Sequence, residues 1–268
     1  KNVFLMKLNT VLLIGIIAFA AFLRFYNLWI VPPSASLDEA SIGYNAYSVL
    51  KTGGDEYGEF PIISQRGYDD WRRSTYLLLT IPFVALFGLD VTSVRLPSVI
   101  LSIFTVLAAY FLVYELFGQE IKNQKSKVKI TRLHLPSARA DGGQATQNSK
   151  VETIALFSSF LLAISPWHIY ISRLGHESNA CLSFLVFGVL FFLQGNKDKN
   201  MGNIFLSMIF FALSMISYYS GQAFIPLFVV GLFFIFRKNL LSIVLSDKKT
   251  LILFFVFVIL LVPIFWAI

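Results

Sequence analysis

Charge is scarce in this sequence. Asp, Glu, Lys and Arg together make up 14% of its 268 residues, against about 25% in soluble domains. Hydrophobic types make up 56%. So small a supply of ionised side chains excludes a chain built around one soluble core. Its solvent must be largely lipid. Cysteine is nearly absent, and the one copy, Cys181, lies in an apolar run, which excludes a disulfide framework. The His and Met residues show no metal-ligand spacing by themselves, and no internal repeat is visible. The first apolar run is too long for a signal peptide and lacks a small-residue cleavage site, so it reads as a retained anchor. The chain stops inside an apolar run, Val262 to Ile268, which suggests a C-terminally incomplete piece of a longer protein. The 28 Phe residues are spread along the apolar runs, as lipid-facing and inter-helix packing requires.

What is present is a series of hydrophobic runs. A spanning helix needs roughly 17–25 mainly apolar residues. Segments 9–30, 94–117, 152–172, 203–219 and 250–268 fit that description, and 180–195 and 222–237 are shorter candidates. The expected fold is therefore an all-α membrane protein with about seven transmembrane helices, residues 1–268 forming one module.

The net charge of +7 suggests nucleic acid or anionic lipid when taken alone, but its distribution excludes nucleic acid as a partner. Basic residues gather at the N-terminus (Lys1, Lys7), in 118–151 (Lys122, Lys125, Lys127, Lys129, Arg132, Arg139, Lys150), near 198 (Lys197, Lys199) and near 240 (Arg237, Lys238, Lys248, Lys249). Placing all four in the cytoplasm satisfies the positive-inside rule. The segment 118–151 is then a basic cytoplasmic loop whose polarity reads as disorder. The other face receives 31–93, 173–179 and 220–221. The first of these, an extracytoplasmic loop, holds Asp38, Glu39, Asp55, Glu56, Glu59, Asp69, Asp70 and Asp90 against four basic residues. It also holds two semi-apolar segments, 37–50 and 74–88. The second is short for a span, and crossing there would put the basic loops outside, so it reads as an interfacial helix. The expected setting is a plasma membrane, multi-pass, with a cytoplasmic N-terminus.

The concentrated polar chemistry begins after Pro32-Pro33. Ser36 followed by Glu39 is a capping box, and Asp38 in the first turn suits the helix dipole. One reading is therefore two acids that merely start a helix. The other is a carboxylate pair at the mouth of a helical bundle, able to take a proton from a hydroxyl or to bind a metal. Arg24, Arg95 and Arg173 each fall near the outer end of an expected span. They are candidates for a phosphate-binding pocket, through the planar guanidinium fork, or for snorkelling to headgroups. His168, His176 and Glu177 share that face and are candidate ligands of a divalent cation. Tyr44, Trp167, His168, Glu177, Tyr218 and Tyr219 are candidates for lining a substrate pocket, although interfacial aromatics also form the membrane belt.

Several of these residues occur in a familiar order. Leu23-Arg24-Phe25-Tyr26-Asn27-Leu28 leads to Asp38-Glu39-Ala40-Ser41-Ile42-Gly43-Tyr44-Asn45-Ala46. Val94-Arg95-Leu96-Pro97-Ser98 opens a helix ending Glu115-Leu116-Phe117-Gly118, and Ser165-Pro166-Trp167-His168-Ile169-Tyr170 precedes Ser172-Arg173. This set, over most of 20–195, resembles the GT-C class of polytopic membrane glycosyltransferases, in the protein O-mannosyltransferase and lipid A aminoarabinose transferase group. The resemblance implies a GT-C-like core with two membrane-parallel helices in the first extracytoplasmic loop. It implies transfer of a mannose-like or modified sugar from a polyprenyl-phosphate donor to a hydroxyl on a protein, glycolipid or glycan, with inversion. It also implies that Asp38 is the base and that Glu39 orients it. No cofactor is required, because the phosphate is already a good leaving group, and a divalent cation is an added option. One departure stands out. Relatives carry a basic residue and Pro-Pro-Leu at the second membrane-parallel helix, where this chain has Asp69-Asp70-Trp71-Arg72-Arg73-Ser74-Thr75-Tyr76-Leu77. Arg72 or Arg73 is the candidate substitute for the basic residue. The competing readings are a transporter or permease, disfavoured because the mid-membrane runs lack clustered ionisable groups, and a non-catalytic relative.

Overall fold

The computed structural model describes residues 2–68, 70–131 and 140–244. Its helices are α1 (Asn2–Phe25), α2 (Leu37–Thr52), α3 (Thr75–Phe87), α4 (Val91–Thr131), α5 (Ala140–Ile164), α6 (Pro166–Ser172), α7 (Glu177–Asp198), α8 (Met201–Ser217) and α9 (Tyr219–Val244). One antiparallel hairpin, β1 (Ser64–Gly67) and β2 (Asp70–Arg73), lies between α2 and α3. The protein is an all-α membrane protein in its architecture. Among the described residues, four helical segments are long and apolar enough to span: Leu8–Phe25, Val91–Gly118, Glu177–Asp198 and Tyr219–Arg237.

The expected span 152–172 is not straight. Ser149–Ile164 and Pro166–Ser172 meet at 59°. Pro166 has no N–H to continue the ladder, and its ring clashes with the preceding turn. The pair counts as a fifth span only if taken together. Met201–Ser217, which occupies the expected 203–219, is an apolar helix below the length of a confident span. The expected span 250–268 lies outside the described residues. Between 118 and 151, where polarity reads as disorder, α4 continues to Thr131 and α5 starts at Ala140. Lys, Gln and Glu between 119 and 131 are good helix formers and suit the extension of α4.

Two helices, α2 and α3, occupy the segment between the first two spans, at the positions expected for them. The capping box at the start of α2 is formed: Ser36 Oγ accepts from the Glu39 N–H and the Glu39 carboxylate accepts from the Ser36 N–H. Its end is set by Gly53 at φ 82°, a left-handed cap that glycine adopts without strain. Ile42, Ala46 and Val49 then pack on Tyr76, Leu77 and Val84 of α3, Val94 of α4, and Ala180 and Phe184 of α7. The Tyr76 hydroxyl donates to the Val94 carbonyl at 2.7 Å, inside this core. A second core joins α7, α8 and α9 through Phe192, Leu193, Ile204, Phe211, Met215 and Ile225. A third joins α1, α4 and α5 through Ala20, Val106 and Ala163. Thus α4 and α7 form the central pair, and α2 sits on their ends.

Candidate active site

The site lies where the N-termini of α2 and α7 converge. Glu39 is buried, and its carboxylate receives four hydrogen bonds. Arg95 donates from Nε to Oε1 at 2.7 Å and from Nη2 to Oε2 at 3.2 Å. The Ser36 N–H donates to Oε2 at 2.9 Å and the Gly175 N–H to Oε1 at 3.0 Å. Burial alone would raise the pKa of this carboxyl. The Arg95 bonds and the two backbone N–H groups outweigh it and hold the value below 4.5. Glu39 thus ties the start of α2 to α4 and to the turn before α7. That turn needs glycine: a Cβ on Gly175 would lie 2.7 Å from Val94 Cγ1 and 3.2 Å from Glu39 Cγ.

Asp38, next to this lock, points the other way. Its carboxylate is 36% exposed and meets Arg72 Nη1 at 2.6 Å through Oδ1. Its second oxygen faces His176 Nε2 at 3.7 Å. His176 is the N-cap of α7, its Nδ1 accepting from the Ser178 N–H at 3.1 Å. That bond leaves the proton of the neutral ring on Nε2, the nitrogen turned towards Asp38. Tyr218 stands edge-on to the His176 ring at 5.8 Å. Glu177, the first residue of α7, is also buried, and its Oε1 finds no hydrogen-bond partner among the described residues. Gln65, across the hairpin from Arg72, likewise leaves both amide atoms unpartnered. Orphaned buried polar groups are costly. The Glu177 carboxylate, one residue from His176, is where a polar ligand would add a bond beside Asp38.

The three arginines expected to bind phosphate all donate to backbone carbonyls. Arg95 is fully buried, and beyond its Glu39 bonds it donates to the carbonyls of Leu28, Pro32 and Ser34 at 2.8–3.0 Å. All five of its N–H donors are engaged, so none remains for a phosphate. Arg173 donates to the carbonyls of Leu23, Tyr26 and Val31. Arg24 donates to the carbonyls of Ala20 and Ala163 and to His168 Nδ1, the last at 2.7 Å. The physical reason is the irregular segment 26–34 that follows α1: its carbonyls lack helical partners, and cationic forks satisfy them well. Neither free phosphate binding nor snorkelling describes Arg24, whose side chain is completely buried.

Of the expected pocket residues, Glu177 and Tyr218 come together with Asp38. Tyr219 lies farther along the hairpin, its ring under Arg73 and its hydroxyl donating to the Trp71 carbonyl at 2.7 Å. Tyr44 and Trp167 are exposed, Trp167 to 76%. His168 is buried beside Arg24 and is separated from the other candidate metal ligands. His176 Nδ1 is 3.6 Å from Glu177 Oε2, and among the described residues no three His, Cys, Asp or Glu side chains are grouped to hold a metal. Arg72, on β2, is the cation that meets Asp38.

Residues 147–266 match the family model described as dolichyl-phosphate-mannose-protein mannosyltransferase. Over those residues the chain is similar to GT-C mannosyltransferases. The match covers a little under half of it, including α6 to α9, so the mannosyltransferase-like region supplies His176, Glu177, Tyr218 and Tyr219 to the site, whereas Asp38, Glu39, Arg72 and Arg95 lie before it. This agrees with the resemblance seen in residues 20–195, and the two overlap over 147–195. No curated protein and no solved structure matches the chain.

Proposed function

We infer that this GT-C-like chain is an inverting glycosyltransferase that moves a mannose-like sugar from a polyprenyl-phosphate donor to a hydroxyl acceptor, with Asp38 as the general base. One observation carries the reading. Asp38 is the accessible carboxylate at the junction of α2 and α7, and it is held beside a guanidinium while its neighbour Glu39 is consumed by structure. The acceptor O–H gives its proton to Asp38 Oδ2. The acceptor oxygen bonds to the anomeric carbon, and the carbon–oxygen bond to the phosphate breaks. The electron pair leaves with the lipid phosphate, whose charge Arg72 meets. His176 Nε2–H orients the Asp38 carboxylate. No metal ion is required in this scheme, because phosphate is already a competent leaving group. The charge asymmetry of the loops supports an extracytoplasmic site and a cytoplasmic N-terminus in the cell membrane. The acceptor is a hydroxyl of a protein, glycolipid or glycan.

The test is sugar transfer from a radiolabelled polyprenyl-phosphate mannose in membranes holding the protein at equal levels. Asp38→Asn is expected to lower transfer by about a hundredfold or more, as loss of a general base does. Equal transfer by wild type and Asp38→Asn would return Asp38 to a helix-capping role.

A further inference from the structure

A second polar cleft lies beyond the hairpin. Its volume is about 150 Å³, and Asp55, Tyr57, Glu59, Ser64, Arg66 and Trp71 are among its lining residues. The strand register explains how one hairpin serves two places. Arg66 pairs with Trp71 and Gln65 with Arg72, so the two pairs project to opposite faces. One face carries Arg72 to Asp38; the other turns Trp71 and Arg66 into the cleft.

Both walls are prebuilt. Asp55 Oδ1 accepts from the N–H groups of Tyr57 and Glu59 at 2.9 and 3.1 Å, fixing the turn. The Glu56 N–H donates to Asn45 Oδ1 at 2.8 Å and binds that turn to α2. The opposite wall is held by Tyr219 on the Trp71 carbonyl. Arg66 lies over the Tyr57 ring at 4.7 Å from its centroid. A cation therefore already covers that face of Tyr57, and a ligand must use the Trp71 ring and the polar edges of the cleft instead. Broad exposed rings on Tyr57 and Trp71, a free-edged carboxylate on Glu59 and the Ser64 hydroxyl present apolar faces interleaved with hydrogen-bonding edges. A neutral sugar ring has the same alternation of C–H faces and hydroxyl edges. Lipid tails would use the rings but not the carboxylates.

We propose that this cleft binds a neutral saccharide and is the acceptor-glycan subsite, which narrows the acceptor class to glycans or glycolipids. The acceptor role rests on the glycosyl-transfer reading, whereas saccharide binding does not. Trp71 stacks on a sugar ring and Glu59 accepts from its hydroxyls. The turn and the hairpin are each fastened to α2, so a glycan held there is held relative to Asp38.

Saturation-transfer NMR of the full chain in nanodiscs, with mannotriose as the probe, tests this directly. Wild type and Asp38→Asn are expected to bind alike. Trp71→Ala and Glu59→Gln, both at exposed side chains, are expected to weaken binding by about tenfold each. In transfer assays with a mannotriose acceptor, the same two variants are expected to raise the acceptor KM and leave kcat near wild type. Mannotriose binding without any transfer in wild type would keep the cleft and remove the enzymatic reading. Transfer in wild type with no mannotriose binding, or with the acceptor KM unmoved in both variants, would overturn the proposal. With the other three tryptophans replaced by Phe, quenching of Trp71 fluorescence by brominated lipid, without mannotriose binding, would overturn it too and make the aromatic lip a membrane anchor.

Discussion

Asp38 and Glu39 are chemically near-identical neighbours with different fates. A helix turns about 100° per residue, so one carboxylate enters the bundle and the other leaves it. Glu39 is matched to the Arg95 fork, and removing one partner of such a buried pair strands the other. Arg95→Ala is expected to cost about 3–5 kcal/mol, read as a fall in the thermal unfolding midpoint in detergent. The depressed Glu39 pKa also sets a pH dependence. A folded-state value below the unfolded one gives stability that is fully present above 4.5 and lost as pH falls through the folded value. Wild type is therefore expected to lose stability relative to Glu39→Gln as pH is lowered below 4.5, and a gap that stayed constant from pH 7 downward would refute the linkage. The Asp-Glu pair and its capping box are legible in the sequence. The Arg95 pairing is not, because its partner lies 56 residues away. A useful hint was available: an arginine flanked by Val94 and Leu96 needs an internal acceptor.

At the scale of elements, helices announce themselves through long apolar runs, and α1, α4, α7 and α9 fall where those runs are. The hairpin does not. Its strands are four residues each and rich in charge, without the apolar alternation that marks a strand. The backbone contacts of Arg24, Arg95 and Arg173 are hidden in the sequence for a related reason. Position near a helix end was legible, but the demand of the carbonyls in 26–34 for donors was not. The turn before α7 is equally silent in sequence, although it joins two halves of the site. Gly175→Ala must displace Val94 or Glu39. It is expected to destabilise by about 1–3 kcal/mol and to lower sugar transfer more than Gly118→Ala, where an added Cβ meets nothing within 4 Å. Equal behaviour of the two variants in unfolding and transfer assays would deny the turn its role.

For the whole molecule, composition alone establishes the membrane class, and the apolar runs give most of the bundle. Sidedness rests on charge and is open to a simple experiment, since Cys181 is buried and is the sole cysteine. With Cys181 replaced by Ala, a cysteine introduced at Phe60 is expected to react with a membrane-impermeant maleimide on intact cells. One at Lys199 is expected to react only after permeabilisation. The reverse pattern would invert the proposed topology and place the Asp38 site in the cytoplasm.

Arg24, Arg95 and Arg173 all clamp the chain between residues 20 and 34, yet they arrive from α1, α4 and the turn before α7. The ribosome therefore makes Asp38 long before it makes the groups that set its position. During synthesis the first helices can enter the bilayer, but the segment leading into α2 stays unfastened until residues 95 and 173–175 have emerged. Competence is thus acquired late in biogenesis, and a nascent chain arrested before residue 173 is expected to be cut by protease at 26–34, whereas the finished protein resists.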